Sequence, residues 1–372
     1  MKRILLLIAA LFMLGTIIYG ILSFTQILNR TNTVIPKINL ADEELKSIDK
    51  IPKVSIVAEN LEVPWALAFL PDKSILVTQR SGIISIIKDG EVSELGKIDV
   101  HNQGEGGLHG IAIDPDFNEN SYIYVYYTTD SNDENSTNRV ARFTLENNSL
   151  NDETVILDEI PGARIHDGGR IKFGPDNLLY ITTGDAAEPS LSQNRNSLAG
   201  KILRINKDGT PASGNPFNTA IYSYGHRNPQ GITWDNNAVL YATEHGNNTT
   251  DEFNMIEIGK NYGWPNITGS ESAINMTTPL LQSGNNTWAP AGLAYADGKF
   301  YFGGLRGNAL FSIEEINGEY MLTEYFKGEF GRIRDVIKGP DNMLYITTSN
   351  RDGRGIESEN DDKVIRINPF IL

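Results

Sequence analysis

The chain has 372 residues, 40% hydrophobic and 21% charged, ordinary for a packed protein and too apolar for a disordered one. Acidic residues outnumber basic ones, 47 to 32, and the net charge of −15 argues against wholesale nucleic-acid binding, which needs a basic footprint. The absence of cysteine excludes disulfides, Cys–zinc sites, iron–sulfur clusters and thiol catalysis, and five histidines argue against a His-rich metal cluster.

Lys2 and Arg3 precede an uncharged run of 21 residues, 4–24. At about 1.5 Å per residue it matches the roughly 30 Å of a bilayer core. The two basic residues should stay cytoplasmic, leaving the rest of the chain outside. The run is long for a signal peptide, and Ser23-Phe24-Thr25 is a poor cleavage site, so an uncleaved membrane anchor over 1–26 is favoured over a cleaved, secreted form. Residues 27–52 read as a polar stalk, with a short helix allowed over 41–50. Eight sequons (Asn29, Asn135, Asn147, Asn247, Asn248, Asn266, Asn275 and Asn285) become glycosylation sites if the export machinery glycosylates.

From residue 53 onward one phrase recurs: a Pro-Asp or Asp-Gly turn, then a short alternating strand. It appears as FLPDKSILVTQ (69–79), IDPDFNENSYIYVYYT (113–128), FGPDNLLYITTGD (173–185), WDNNAVLYATEHG (234–246), YADGKFYFGG (295–304) and GPDNMLYITTSN (339–350). Asp, Asn and Gly suit turns, while Tyr, Ile, Val and Thr suit strands. Six copies with almost no helical periodicity between them point to radial repetition, four short strands per copy. The expected fold is all-β: a six-bladed β-propeller over 53–372, preceded by one N-terminal transmembrane helix. Function should sit where loops of successive blades converge on the central channel.

Four stretches carry more than turn chemistry: GEGGLHGIAIDPDF (104–117), HDGGRIKFGPDNLLYITTGD (166–185), YGHRNPQGITW with EHGNNTTDEFNMIEIGKNYGWP (224–265), and GRIRDVIKGPDNMLYITT (331–348). With PWALAFLPD (64–72) and AGKILRINKDGT (199–210), they resemble the soluble pyrroloquinoline quinone (PQQ)-dependent glucose and aldose sugar dehydrogenases. The resemblance spans nearly all of 53–372 and implies PQQ and calcium (Ca2+) at the mouth of a six-bladed propeller. The implied reaction oxidises the C1 hydroxyl of an aldose to a lactone. Electrons then pass to an external acceptor, a quinone or a cytochrome. The glucose enzymes dimerise, which leaves a homodimer open.

The resemblance also implies site roles. His166 is the base, and Asp185 orients it. Arg227, Asn228 and Gln230 line the PQQ and substrate site. The carbonyls of Gly246 and Asn247 hold the catalytic calcium, although the family usually has Pro at position 247. Glu252 and Tyr262 match positions of a further calcium, but Thr268, Ser270 and Ser272 lack the carboxylate expected downstream. Arg332 and Arg334 match the pair that binds PQQ, whose three carboxylates need cations; at spacing i, i+2 on a strand both point to one face. Arg306 stands where the glucose enzymes have Lys, and Thr287 matches a PQQ-contacting Thr.

The main departure is Glu105, where the family has Gln near the quinone. A carboxylate there opposes negative charge on the reduced cofactor unless protonated or calcium-bound. His109 replaces an apolar residue and reads as packing or support, and His226 as structural. Two other readings stand beside the dehydrogenase: a calcium-dependent lactonase on the same fold, and a non-catalytic sugar- or protein-binding propeller that has lost PQQ. The Arg332/Arg334 pair argues against the first, and Glu105 keeps the second open.

Overall fold

The computed structural model describes residues 51–130 and 136–372. The apolar run, most of the stalk, Asn29 and Asn135 lie outside the described residues. Among the described residues no helix is long and apolar enough to cross a membrane. Residues Pro52–Leu372 form one compact unit of six four-stranded antiparallel sheets, the six-bladed propeller expected from the repeat.

Each blade begins with its innermost strand, and successive inner strands touch around the channel. These are Pro64–Phe69, Leu108–Ile113, Ile171–Phe173, Pro229–Trp234, Pro290–Ala296 and Ile333–Lys338, which open blades 1 to 6. The ring closes because Val54–Ala58, from the start of the unit, pairs with Val364–Ile367 as the outer strand of blade 6. That pairing uses ladder groups an open edge would expose.

The recurrent phrase spans the turn between the first and second strands of each blade. Its Asp side chains cap the turn: Asp72 accepts from the Ser74 N–H (3.0 Å), Asp176 from Leu178 (3.2 Å) and Asp341 from Met343 (3.2 Å). In blades 3 and 6 the same Asp also binds a Tyr hydroxyl and an Arg of the next two strands: Asp176 with Tyr180 and Arg204, Asp341 with Tyr345 and Arg366. The alternating apolar residues pack between blades. Leu76, Ile84 and Trp65 of blade 1 meet Leu108, Ile123 and Phe143 of blade 2, for example.

The channel is packed around a buried ion pair. Arg170 Nη1 of blade 3 lies 3.0 Å from Asp335 Oδ1 of blade 6, both side chains 3% exposed or less. Asp335 Oδ2 also accepts the Leu67 N–H of blade 1 (2.9 Å), and Arg170 Nε donates to the Gln230 carbonyl of blade 4 (3.0 Å). The Arg170 guanidinium lies 4.3 Å over the Trp65 ring. Lys172, its ammonium pushed down to about 8 by burial, donates to the Leu293 carbonyl of blade 5 (2.9 Å). Glycine admits these groups: a Cβ at Gly292 would sit 2.0 Å from Asp335 Oδ1.

Removing one partner of such a pair strands the other charge. Asp335→Ala should therefore lower unfolding free energy by about 3–5 kcal/mol in denaturant titrations, whereas Lys88→Ala, at an exposed ion pair, should leave the transition nearly unchanged.

Candidate active site

In an antiparallel blade the turn after strand one lies at one end of the channel. The turn after strand two, and the link to the next blade, lie at the other. That second end gathers Trp65 and Arg80 of blade 1, Glu105 and His109 entering blade 2, and Asp167 and Gly168 entering blade 3. Gln230 and His245 of blade 4, Leu305 of blade 5, and Arg334, Asp352 and Arg354 of blade 6 complete a narrow cleft.

His166 stands beside this cleft, in the loop that carries Asp167. Its Nδ1 lies 2.7 Å from Asp185 Oδ1. Asp185 is buried and held by three more contacts: the Trp264 indole N–H on Oδ2 (2.8 Å), the Ala187 N–H on Oδ1 (2.9 Å), and its own N–H on the Arg227 carbonyl (2.7 Å). A carboxylate so anchored holds the Nδ1–H tautomer and leaves Nε2, which has no hydrogen bond among the described residues, to accept a proton. The His166 backbone is left-handed, at φ 67°. The glycines of the surrounding motif allow this: a Cβ at Gly184 would fall 1.7 Å from the His166 carbonyl, and one at Gly169 2.5 Å from His109 Nδ1.

Glu105 supports the same loop. Its Oε2 accepts the His166 N–H (2.9 Å), and its Oε1 lies 2.7 Å from Arg354 Nη1. Burial opposes its ionisation, but the His166 N–H and the Arg354 guanidinium outweigh burial and hold the carboxyl down at about 2. The charge is thus met by an arginine, a partner the sequence reading did not include. A carboxyl with so low a pKa is a poor general base at neutral pH. His109 is packing and support: it stacks between Trp65 (4.9 Å) and Tyr126 (5.8 Å), and its Nε2 lies 2.8 Å from the Glu105 carbonyl. Burial pushes its imidazole down to about 3, so it stays neutral.

The remaining residues separate into groups. Arg332 and Arg334 converge on Asp352 Oδ2, at 2.7 and 3.2 Å, but only Arg334 lines the cleft. Gln230 lines it too, whereas the Asn228 side chain accepts the Gly168 N–H (3.0 Å) and braces the His166 loop. Arg227 sits over Trp264 and donates at 3.4 Å to the carbonyls of His245 and Asn247. His226 is buried between Glu244 (2.8 Å) and Ser223 (2.8 Å), under the Tyr262 ring. Thr287 and Arg306 are not in the cleft. They line a separate, more open groove with Asn248 and Thr249.

Among the described residues no three His, Asp or Glu side chains are gathered as a metal cage. Glu252 is half-buried and pushed up to about 8 by loss of solvent and by Glu244 beside it, and the Asn254 Oδ1 next to it has no partner. The Tyr262 hydroxyl is committed to the Met255 carbonyl (2.6 Å) and the Glu257 N–H (2.9 Å), leaving only its backbone carbonyl for a cation. The Gly246 N–H is held by Asp251 Oδ1 (2.8 Å), which shapes the loop whose carbonyls the sequence reading assigned to calcium.

Sequence reasoning missed Arg80, Asp167, His245, Asp352 and Arg354. Arg80 and His245 directly follow the second strands of blades 1 and 4 (Ile75–Gln79 and Leu240–Glu244), and Asp185 and Leu305 lie within two residues of the same place in blades 3 and 5. A scan of that one position in each repeat would have found Arg80 and His245, but not Asp167, Asp352 or Arg354.

Fold and site together define a propeller enzyme with a histidine–carboxylate dyad beside an arginine-rich cleft. The family model described as Glucose / Sorbosone dehydrogenase matches residues 61–357, and the chain belongs to that family. A solved structure titled as the PQQ-bound form of an aldose sugar dehydrogenase from Streptomyces coelicolor superposes with a TM-score of 0.80 at 39% identity, covering 85% of this chain and 98% of that one. The aldose sugar dehydrogenase YliI of Escherichia coli is 29% identical across 81% of this chain and 91% of its own. Quinoprotein glucose dehydrogenase B of Acinetobacter calcoaceticus is 33% identical over 58% of this chain and 52% of its own.

Glu105→Gln should lower stability with a defined pH signature. The depressed carboxyl contributes fully above its ordinary value of 4.5 and loses that contribution as pH falls toward about 2. The deficit of the variant, read as a difference in thermal midpoint, should be constant from about pH 7 to 5 and shrink below about 4.5.

Proposed function

We propose that the protein oxidises the C1 hydroxyl of aldose sugars to lactones, with PQQ as electron acceptor and calcium as a second cofactor. The observation that carries this is the His166–Asp185 dyad, its Nε2 free, beside a cleft on which Arg80, Arg334 and Arg354 converge. The likeness to a PQQ-bound aldose sugar dehydrogenase supports it.

The cleft suits a polar, anionic group. Four of its lining residues carry a buried polar atom without a protein partner: Arg80 Nε, His109 Nδ1, Asp167 Oδ2 and His245 Nε2. Such atoms are costly unless a ligand or water meets them. PQQ, when bound, supplies the electron-pair acceptor that no side chain provides. Arg334 and Gln230 would hold it in the cleft, with Arg332 behind them and Arg306 and Thr287 in reach only of a group that extends into the neighbouring groove. Calcium would be held by the carbonyls of Gly246 and Asn247, the latter now touched by Arg227, and a further ion by Glu252 and the Tyr262 carbonyl. The half-buried Glu252 carboxyl fits a cation, which would restore its charge.

The chain's own part in the reaction is acid–base work. His166 Nε2 takes the proton from the C1 hydroxyl as the C1 hydrogen leaves with its electron pair, as hydride, toward the acceptor that PQQ would supply, so that C1 becomes the lactone carbonyl. Asp185 keeps the imidazole in place and stabilises the imidazolium. Arg227 adds positive charge where negative charge accumulates. Glu105 braces the His166 backbone and, paired with Arg354, does not set a bare negative charge against reduction. The electrons leave to an external acceptor, a quinone or cytochrome. The apolar run at 4–24 supports an anchored protein with its propeller outside the cytoplasm, and the sequon residues Asn147, Asn247, Asn248, Asn266, Asn275 and Asn285 are all exposed.

Two variants separate the roles. His166→Ala should lower turnover by at least about 10²-fold, the scale of a lost general base, with PQQ affinity kept. Arg334→Ala should weaken PQQ instead. Equal loss of PQQ binding in both contradicts the assignment. Calcium at about 100 times its Kd should add about 2.7 kcal/mol to the unfolding free energy of the PQQ-free protein. No shift in the thermal midpoint removes calcium from this account.

A further inference from the structure

Charge around the cleft does not balance within the chain. Arg332 and Arg334 share Asp352, and Arg354 pairs with Glu105. Arg80, on the same cleft, has no such partner: its guanidinium makes no hydrogen bond or ion pair among the described residues, and its Nε is buried. The other carboxyl lining the cleft, Asp167, is turned to Asn138 and the Ala163 N–H, and its Oδ2 meets nothing. Burial works against the Arg80 charge, and Arg354 and Arg332 nearby add to this, with Asp352 and Glu105 opposing them.

The position is nonetheless built. The Arg80 N–H donates to the Val63 carbonyl (3.1 Å), and its carbonyl accepts the Leu108 N–H (3.1 Å). Gly107, at φ 131°, makes room for it: a Cβ there would lie 2.2 Å from the Arg80 carbonyl oxygen and 2.7 Å from its Cγ. Gly107, the last glycine of GEGGL, thus serves the placement of an arginine 27 positions upstream. A half-buried guanidinium on a fixed backbone, with no carboxylate in contact, suits an anion from outside the chain. Aldoses are neutral, so the sugar does not supply one.

We infer that Arg80 is a further cofactor-binding residue, receiving a carboxylate of the bound quinone. This rests on the PQQ reading above. Arg80 is a separate anchor from the Arg332/Arg334 pair, because those two already share a carboxylate and Arg80 does not.

The test is a PQQ titration of the cofactor-free protein by calorimetry, for wild type, Arg80→Gln and Arg80→Lys. Loss of one charge-assisted contact should weaken PQQ by about 10- to 100-fold in Arg80→Gln. Arg80→Lys should recover part of the affinity, and the gap between wild type and Arg80→Gln should narrow as salt rises. The thermal midpoint of cofactor-free Arg80→Gln should not fall, since no internal contact is lost. Wild-type affinity in Arg80→Gln overturns this inference and leaves the PQQ reading standing. A wild type that binds no PQQ overturns both. A lower thermal midpoint in Arg80→Gln without PQQ shows an internal structural role and also counts against the inference.

Discussion

The ion pair between Arg170 and Asp335 is the constraint around which the channel is organised. Burying two charges is expensive, and their attraction offsets the cost only when further hydrogen bonds satisfy the remaining atoms. Here such bonds come from different blades, the Leu67 N–H from blade 1 and the Gln230 carbonyl from blade 4, with Trp65 stacked on the guanidinium, while Arg170 Nη2 is left without a hydrogen-bond partner. The residues that supply them are neighbours in sequence of the residues that face the cleft. Arg170 closes the loop that carries His166 and Asp167, Asp335 follows Arg334, and Gln230 itself lines the cleft. Holding the channel together and holding the site in register are therefore the same task.

The two ends of the propeller divide the work. At one end Asp-capped turns repeat in blades 1 to 4 and 6, because closing a tight turn is the same physical problem in each. At the other end each blade contributes something different: an arginine after blade 1's second strand, an aspartate in blade 3, a histidine in blade 4, a leucine in blade 5. Repetition is a signature of folding, and its breakdown marks the site.

This division decides what the sequence disclosed. The six phrases were readable as blades because turn chemistry and strand alternation are local. The outer strand Val54–Ala58, which completes blade 6, was not, since its partner lies some 310 residues away and nothing local names it (Val54 opposite Ile367). The His166 and Asp185 motifs were legible by resemblance, although their 2.7 Å contact is a tertiary fact. The meaning of Glu105 was not legible, because its counter-charge Arg354 is 249 positions distant. Nor was Arg80, since an arginine ending a surface-like phrase carries no local sign that it lacks a partner. Thr287 and Arg306 show the converse: aligned by motif, they line a groove apart from the cleft.

On the proposed function, PQQ occupies this cleft and His166 deprotonates the aldose beside it. The most direct measurement is a single turnover without any added dye or acceptor. Protein loaded with PQQ and calcium is mixed with excess aldose, and the absorbance of the bound cofactor is followed in time. One equivalent of PQQ should be reduced per site in the wild type, with reduction slowed by at least about 10²-fold in His166→Ala at matched cofactor occupancy. Bound PQQ that stays oxidised with every aldose in the wild type, or is reduced equally fast in both proteins, would contradict the proposed function.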